Sequence, residues 1–167
     1  MKVELELTTE QLNETKTKYN LTGKISKGRL KPKLYDVYWN ISGSGEIWKH
    51  EWANTCYDNY CYATGNYYCS EAEAGFAKQK RLVTQELKDF ALEHNEGKID
   101  WENNNSAKYC LYSELTNALC ELYVGIAWQG KYGSTIYFTS HEIAQQAVNK
   151  IGEERLIKYY FGDWEDI

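Results

Sequence analysis

Residues 67–74 read YYCSEAEA and residues 136–143 read IYFTSHEI, and these two stretches decide the predicted fold. In each, a tyrosine is followed two residues later by a hydroxyl residue, Ser70 or Thr139, and three residues further by a glutamate. A hydroxyl residue three positions before a glutamate is the capping box that begins a helix. Both stretches therefore predict a short strand that runs into a capped helix.

A β-hairpin is predicted before each of these stretches. Apolar and polar residues alternate in YDVYWNIS at 35–42 and EIWKHEW at 46–52, and they alternate again in KYCLYSEL at 108–115 and CELYVGIAW at 120–128. Alternation with a period of two is typical of a half-buried strand, and two such segments separated by a short turn form a hairpin. The two halves of the chain thus follow the same order of elements.

The sequence therefore predicts an α+β fold of two tandem ββ(β)α units, at residues 34–97 and 98–167, each with an antiparallel sheet covered by a helix. Residues 1–33 are predicted to hold a strand, a short helix and a basic connection. A loop is expected from Ala53 to Gly65, before the first covering helix. That helix should end near His94, with the following inner face: Phe76, Val83, Leu87, Phe90 and Ala91.

The second covering helix carries Ile143, Ala147 and Ile151 on one stripe. Gly152 is expected to interrupt it, and Gly162 is expected to end the helical segment that follows.

Charge is distributed unevenly along the chain. The net charge of −5 combines seven lysines and arginines between Lys16 and Lys33, a segment without acidic residues, with −12 on the remainder. Aromatic residues are abundant, with 15 Tyr and 6 Trp among 167 residues.

No apolar stretch approaches the length of a membrane span or of a secretory signal, so the expected location is cytoplasmic.

The motifs of the common catalytic sites are missing from the sequence. It contains no Walker A motif, no dinucleotide-binding glycine motif and no nucleophile elbow. The five cysteines are odd in number and form no C-x-x-C pair, so no metal site and no cofactor are predicted. His50 alternates with Trp48 and Trp52, a pattern that predicts one shared strand face and is typical of a packed histidine. The sequence thus favours a binding protein over an enzyme.

Three segments carry a resemblance to other proteins. MKVELELTTEQL at 1–12, RLVTQELKDFALEHNEGKIDW at 81–101 and IYFTSHEIAQQAVNKIGEERLIKYYFG at 136–162 resemble small accessory proteins encoded by phages and prophages of Gram-positive bacteria. The resemblance implies a mobile-element origin and action in the host cytoplasm, and it brings no activity and no catalytic residues. Some accessory phage proteins of this size and acidity inhibit host defence, including CRISPR nucleases.

The first functional hypothesis is a phage accessory protein that inhibits a nucleic-acid-handling defence protein, with a CRISPR–Cas nuclease as the first candidate. An acidic, aromatic surface would bind the basic groove of such a partner by charge complementarity. The predicted partner-binding residues are Glu114, Glu121, Asp163, Trp164, Glu165 and Asp166.

Two alternatives remain open at this stage. One is a nucleic-acid-binding module in phage replication or recombination, in which tyrosine or tryptophan stacks on bases and basic side chains contact the phosphates. Its predicted phosphate-binding residues are Lys24, Lys27, Arg29, Lys31 and Lys33. The other is a small-molecule sponge, in which an aromatic cleft sequesters a defence signal.

Overall fold

The computed structural model describes residues 31–97, 99–103, 106–116, 119–127 and 133–162. Met1–Lys33 forms one unit of the chain, and Leu34–Ile167 forms a second, compact unit. The strand and the helix predicted near the N-terminus lie outside the described residues. Within the described ranges, no helix combines the length and the apolar character needed to cross a membrane.

The fold is α+β, with two antiparallel sheets and several helices among the described residues. In chain order the elements are β1 (Val37–Ile41), β2 (Ile47–Glu51), α1 (Cys56–Ala63), α2 (Glu71–His94), β3 (Lys108–Thr116), β4 (Leu119–Ala127), β5 (Tyr137–Phe138), α3 (His141–Ile151), α4 (Glu153–Arg155) and a π-helical segment (Leu156–Phe161). The first sheet pairs β1 with β2, and the second has the order β4-β3-β5. Both predicted hairpins are confirmed.

Helix α1 occupies the segment predicted as a loop from Ala53 to Gly65, so that prediction is wrong. Thr55 and Asp58 form a complete capping box: the Thr55 hydroxyl accepts from the Asp58 N–H at 3.2 Å, and the Asp58 carboxylate accepts from the Thr55 N–H at 2.9 Å. The helix buries only Asp58 and Cys61. Because it buries so little apolar surface, it lacks the hydrophobic periodicity by which helices are predicted.

Helix α2 matches its prediction closely. It begins after the N-cap Ser70 and ends at His94. The Ser70 hydroxyl accepts from the Glu73 N–H at 3.1 Å, but the Glu73 carboxylate accepts from the Cys69 N–H at 2.7 Å and not from Ser70 as a capping box requires. The predicted inner-face residues are all buried: Phe76, Val83, Leu87, Phe90 and Ala91.

The second predicted capping box is wrong, because Ser140 and not Thr139 is the N-cap of α3. The Ser140 hydroxyl accepts from the Ile143 N–H at 3.2 Å. Thr139 is held instead by the end of α2: its N–H donates to the Asn95 side-chain oxygen at 3.0 Å, and its hydroxyl accepts from the Glu96 N–H at 3.2 Å. Thr139 therefore ties the second sheet to the end of α2.

Two glycines end helical segments where the sequence predicted. Gly152 closes α3 with a φ of 99°, a conformation that favours glycine. Gly162 follows the π-helical segment in an extended conformation, with a φ of −70°. There the absence of a side chain matters for space, since a Cβ would collide with the Lys158 carbonyl oxygen.

Two hydrophobic clusters form the interior of this unit. The main core lies between the second sheet, α2 and α3, and includes Leu87, Leu111 and Phe138. The smaller cluster joins Tyr38 and Trp52 of the first hairpin to α1 and Tyr67. Helix α2 contributes to the main core and also contacts β1 and β2.

Candidate protein-binding face

Strands β3 and β4 present one side to the main core and the other to solvent. Leu111 is buried in the core, and its neighbour Tyr112 is exposed on the opposite side. The register places Tyr112 opposite Tyr123 and Glu114 opposite Glu121. The solvent side formed by these four residues and Gly125 is termed the acidic–aromatic face.

The two glutamates give this face its charge. Glu114 and Glu121 lie directly opposite each other, and both are exposed. Like charges in directly opposed positions destabilise a sheet. The only cationic residue of the two strands, Lys108, is 1% exposed; its ammonium donates to the Asn103 carbonyl oxygen at 2.6 Å and lies 5.9 Å from the Trp101 ring centre. The Lys108 ammonium is therefore buried and does not contribute an exposed positive charge to the acidic–aromatic face.

The two tyrosines form a flat platform beside the glutamates. Their rings are stacked, with centroids 5.4 Å apart and planes at 24°, and each is more than a third exposed. Gly125 makes room for this arrangement, because a Cβ at that position would lie 2.6 Å from Cε1 of Tyr112. A glycine within a strand commonly marks such a close approach. The face thus combines an accessible aromatic surface with two carboxylates.

The Tyr123 hydroxyl donates a hydrogen bond to the Glu121 carboxylate, which lies two residues away on the same strand. This hydrogen bond, with smaller contributions from desolvation and from the negative charges of Glu121 and Glu114, raises the pKa of Tyr123 to about 12. The neutral phenol is favoured because a phenolate would lose the hydrogen bond and face two carboxylates. The titration of Tyr123 therefore reports chiefly on its hydrogen bond to Glu121.

We expect Glu121→Gln to lower the pKa of Tyr123 from about 12 towards its ordinary value of 10.0, because a neutral amide oxygen accepts a weaker hydrogen bond than a carboxylate and the negative charge is lost. The measurement is a pH titration of protein with ¹³C-labelled tyrosine, followed by NMR. Glu114→Gln is the matched control and should lower the pKa less, since Glu114 acts only through its charge. An equal response to both substitutions would contradict the hydrogen-bonded arrangement.

The structure brings together two of the acidic residues predicted to bind a partner, Glu114 and Glu121. The other predicted binding residues, Asp163, Trp164, Glu165 and Asp166, lie outside the described residues. The same holds for three of the basic residues of the alternative nucleic-acid hypothesis, Lys24, Lys27 and Arg29. Lys31 and Lys33 are exposed in an irregular segment before β1.

Tyr112 and Tyr123 were not among the predicted binding residues. Their signal in the sequence is the alternation itself: Tyr112 is two residues before Glu114, and Tyr123 is two residues after Glu121. Residues two apart on a strand share a face. Finding this face from the sequence therefore requires the pairing register of the hairpin as well as the two strands.

A second cluster of aromatic and polar side chains lies between the first sheet and α1. The prediction that His50 shares a face with Trp48 and Trp52 is supported by its neighbours: its ring lies 6.4 Å from Trp48 and stacks at 5.2 Å on Tyr38, whose ring also contacts Trp52. Beneath it, the Asn40 amide nitrogen lies 2.5 Å from the Tyr57 hydroxyl. The Asn40 amide oxygen and His50 Nε2 are buried and have no hydrogen-bond partner among the described residues. This cluster is mainly interior, since Asn40 and Tyr38 are fully buried.

A cavity of about 610 Å³ lies between the end of α2 and the start of α3. Two of the carboxylates that line the cavity are already hydrogen-bonded. Asp100 accepts from the N–H groups of Glu102 and Asn103. Glu142 accepts from its own N–H and from the Ser140 side chain, and these hydrogen bonds lower the pKa of Glu142. Across the described ranges, no group of three or more His, Cys, Asp or Glu side chains is placed to hold a metal ion.

The chain matches no protein-family model, and no curated protein or solved structure is significantly similar to it. The acidic–aromatic face therefore has to be interpreted from its own geometry.

Proposed function

We propose that this protein acts by binding and not by catalysis, and that its acidic–aromatic face docks on a positively charged surface of a nucleic-acid-handling protein. The observation that carries the proposal is the direct opposition of Glu114 and Glu121 on an exposed face. This opposition costs folding free energy in the isolated protein. A cationic partner surface would offset that cost on docking, because it places positive charge between the two carboxylates.

The stacked tyrosines support the same proposal. Tyrosine supplies a large contact area together with a hydroxyl group, and it is enriched where proteins bind one another. Tyr112 and Tyr123 adjoin the two glutamates, so a single partner surface can meet apolar and charged groups together. Proteins that handle nucleic acids carry basic grooves in which lysine and arginine contact the phosphates, and such a groove is a positively charged surface of the kind proposed here. The resemblance to phage accessory proteins favours a host defence nuclease, such as a CRISPR–Cas effector, as the partner.

We also propose that the two halves of the chain are tandem ββ(β)α units. In each half the first strand of a hairpin pairs with residues just before a helix that is capped by serine: Trp39 pairs with Tyr68, and Cys110 pairs with Tyr137. The N-caps are Ser70 and Ser140. Helix α1 is an addition to the first half under this proposal, which would explain why the two halves differ in length between hairpin and helix.

The test uses the double variant Glu114→Gln/Glu121→Gln and a panel of purified RNA-guided nucleases. We expect the wild-type protein to inhibit DNA cleavage by its target nuclease, and we expect the double variant to bind that nuclease about tenfold or more weakly. Binding by the wild type should weaken as salt is raised.

Glu114→Gln alone should raise the free energy of unfolding by about 0.2–1 kcal/mol, because it relieves the repulsion between the two glutamates.

The matched control is Glu153→Gln/Glu154→Gln, which removes the same two charges from exposed positions at the start of α4. This control should bind like the wild type. Equal weakening by both double variants would show that only net charge matters, and it would refute a role for this particular face.

A further inference from the structure

Strand β4 pairs on one side only, with β3, within the part of the chain that the structure describes. Its nine residues keep one continuous antiparallel register from Leu119 to Ala127. The other edge of β4 therefore presents an unbroken row of backbone N–H and C=O groups. Such a row is a template on which another strand can form.

The edge of β4 has few of the devices that usually prevent strand pairing, since the only charged residue of this strand is Glu121. Its sequence, LCELYVGIA, contains no lysine, arginine or proline, and its register has no bulge. In the first sheet, β2 is only five residues long and carries Lys49, and the other side of β1, also five residues long, is bridged at Trp39 by Tyr68. Strand β5, at the far edge of the second sheet, has only two residues. Among the described strands, β4 is thus the one whose edge suits the addition of a strand.

We propose that β4 binds an extended, basic segment of the partner protein by strand addition. This inference rests on the function proposed above and specifies how the partner is held. Glu121 and Tyr123 lie on the acidic–aromatic face, while Leu122 and Val124 lie on the opposite side and pack against the main core. A matching segment would alternate lysine or arginine, beside Glu121, with apolar residues beside Leu122 and Val124.

Charge complementarity favours such a segment over a second copy of this chain. In an antiparallel pairing of two β4 strands about Tyr123, Glu121 of each copy would lie beside Gly125 of the other. The joined sheet would then carry four glutamates on one continuous face, with the net charge of −5 on each copy adding to the repulsion. A basic strand would instead bring positive charge to that face.

The experiment uses the full chain labelled with ¹⁵N and a nonapeptide of alternating lysine and valine with blocked termini. Two further peptides have the same sequence, but every second amide is N-methylated, in one phase or the other. N-methylation keeps the charge and removes the hydrogen bonds that strand addition requires. Binding is measured by calorimetry, and exchange of the β4 amide protons is measured by NMR.

We expect the unmethylated peptide to slow exchange of β4 amides and methylation in at least one phase to weaken binding about tenfold or more. Equal binding of all three peptides would overturn strand addition while leaving the acidic–aromatic face as an electrostatic docking site. Absence of peptide binding would also overturn strand addition. In that case the nuclease panel tests the proposed function separately.

Sedimentation velocity tests the competing occupant. A dimer that is dispersed by Ile126→Lys, at a half-exposed position of β4, would assign the edge to a second copy and overturn the basic segment. Leu92→Lys is the matched control, because Leu92 is 82% exposed on α2. If the wild type and both variants sediment as monomers, the result supports the proposal.

Discussion

Asp58→Ala is expected to lower the free energy of unfolding by about 3 kcal/mol, because a buried carboxylate organises the junction between the first sheet and α1. Asp58 is 4% exposed. One carboxylate oxygen accepts from the Tyr38 hydroxyl at 2.8 Å, and the other accepts from the N–H groups of Ala53 and Thr55 at 3.0 and 2.9 Å. Alanine would leave a buried hydroxyl and two N–H groups without their acceptor.

Two control variants make this prediction specific. Asp58→Asn keeps one carbonyl oxygen and should cost less than Asp58→Ala. Asp89→Ala removes an exposed carboxylate from α2 and should change stability by about 0.5 kcal/mol or less. The measurement is urea denaturation followed by tryptophan fluorescence. A cost for Asp58→Ala as small as that for Asp89→Ala would contradict the buried network.

The same network makes stability depend on pH in the acid range. Burial by itself would raise the pKa of Asp58, but the hydrogen bonds from Thr55, Tyr38 and Ala53 outweigh burial and lower the pKa below its ordinary value of 3.8. A group with a lowered pKa contributes its full stabilisation above its unfolded pKa and loses it as pH falls through the folded pKa. Asp58→Asn should therefore flatten the decline in stability on acidification.

The sequence predicted those elements whose burial is apolar and periodic. Helix α2 buries Val83 and Leu87 one turn apart, and this spacing is visible without a structure. Helix α1 was missed because its interior contacts are made by Asp58 and Cys61, and a buried carboxylate gives no hydrophobic signal. The detectable sign was the capping box from Thr55 to Asp58, set within a run of asparagines and tyrosines that is also typical of loops.

The second helix start illustrates a different limit. Thr139 and Ser140 both carry a hydroxyl group, and the sequence alone favours Thr139 because a glutamate follows three residues later. In the structure the Thr139 hydroxyl is engaged by the Glu96 N–H, so Ser140 remains to cap α3. A contact between residues 43 positions apart therefore decides the start of the helix. Local patterns do not contain such contacts.

The candidate face was predictable in part for a related reason. Glu114 and Glu121 were predicted from charge alone, and alternation fixes which residues share a face with each of them. Their direct opposition depends on the register of β3 against β4, which in turn depends on the length of the connecting turn. The stacking of Tyr112 on Tyr123 depends further on Gly125, whose importance appears only when the register is known.

The largest loss of stability is expected for Phe138→Ala, at about 3–5 kcal/mol. Phe138 is fully buried although β5 is only two residues long, and it pairs with Tyr109 at the centre of the second sheet. Its ring belongs to the main core, which joins this sheet to α2 and α3. Truncation to alanine would remove the ring's contacts and leave a cavity among side chains that also pack against those helices.

Phe138→Leu tests whether the loss follows volume, since leucine refills most of the space and should cost about 1.5 kcal/mol or less. Leu92→Ala, at an 82% exposed position of α2, should cost about 0.5 kcal/mol or less. Urea denaturation of the three variants gives the comparison. A loss below about 1 kcal/mol for Phe138→Ala would mean that β5 is not fixed by this core. Because β5 and β4 flank β3, a weakly held β5 would also mean that β3 is less firmly supported, and β3 carries half of the acidic–aromatic face.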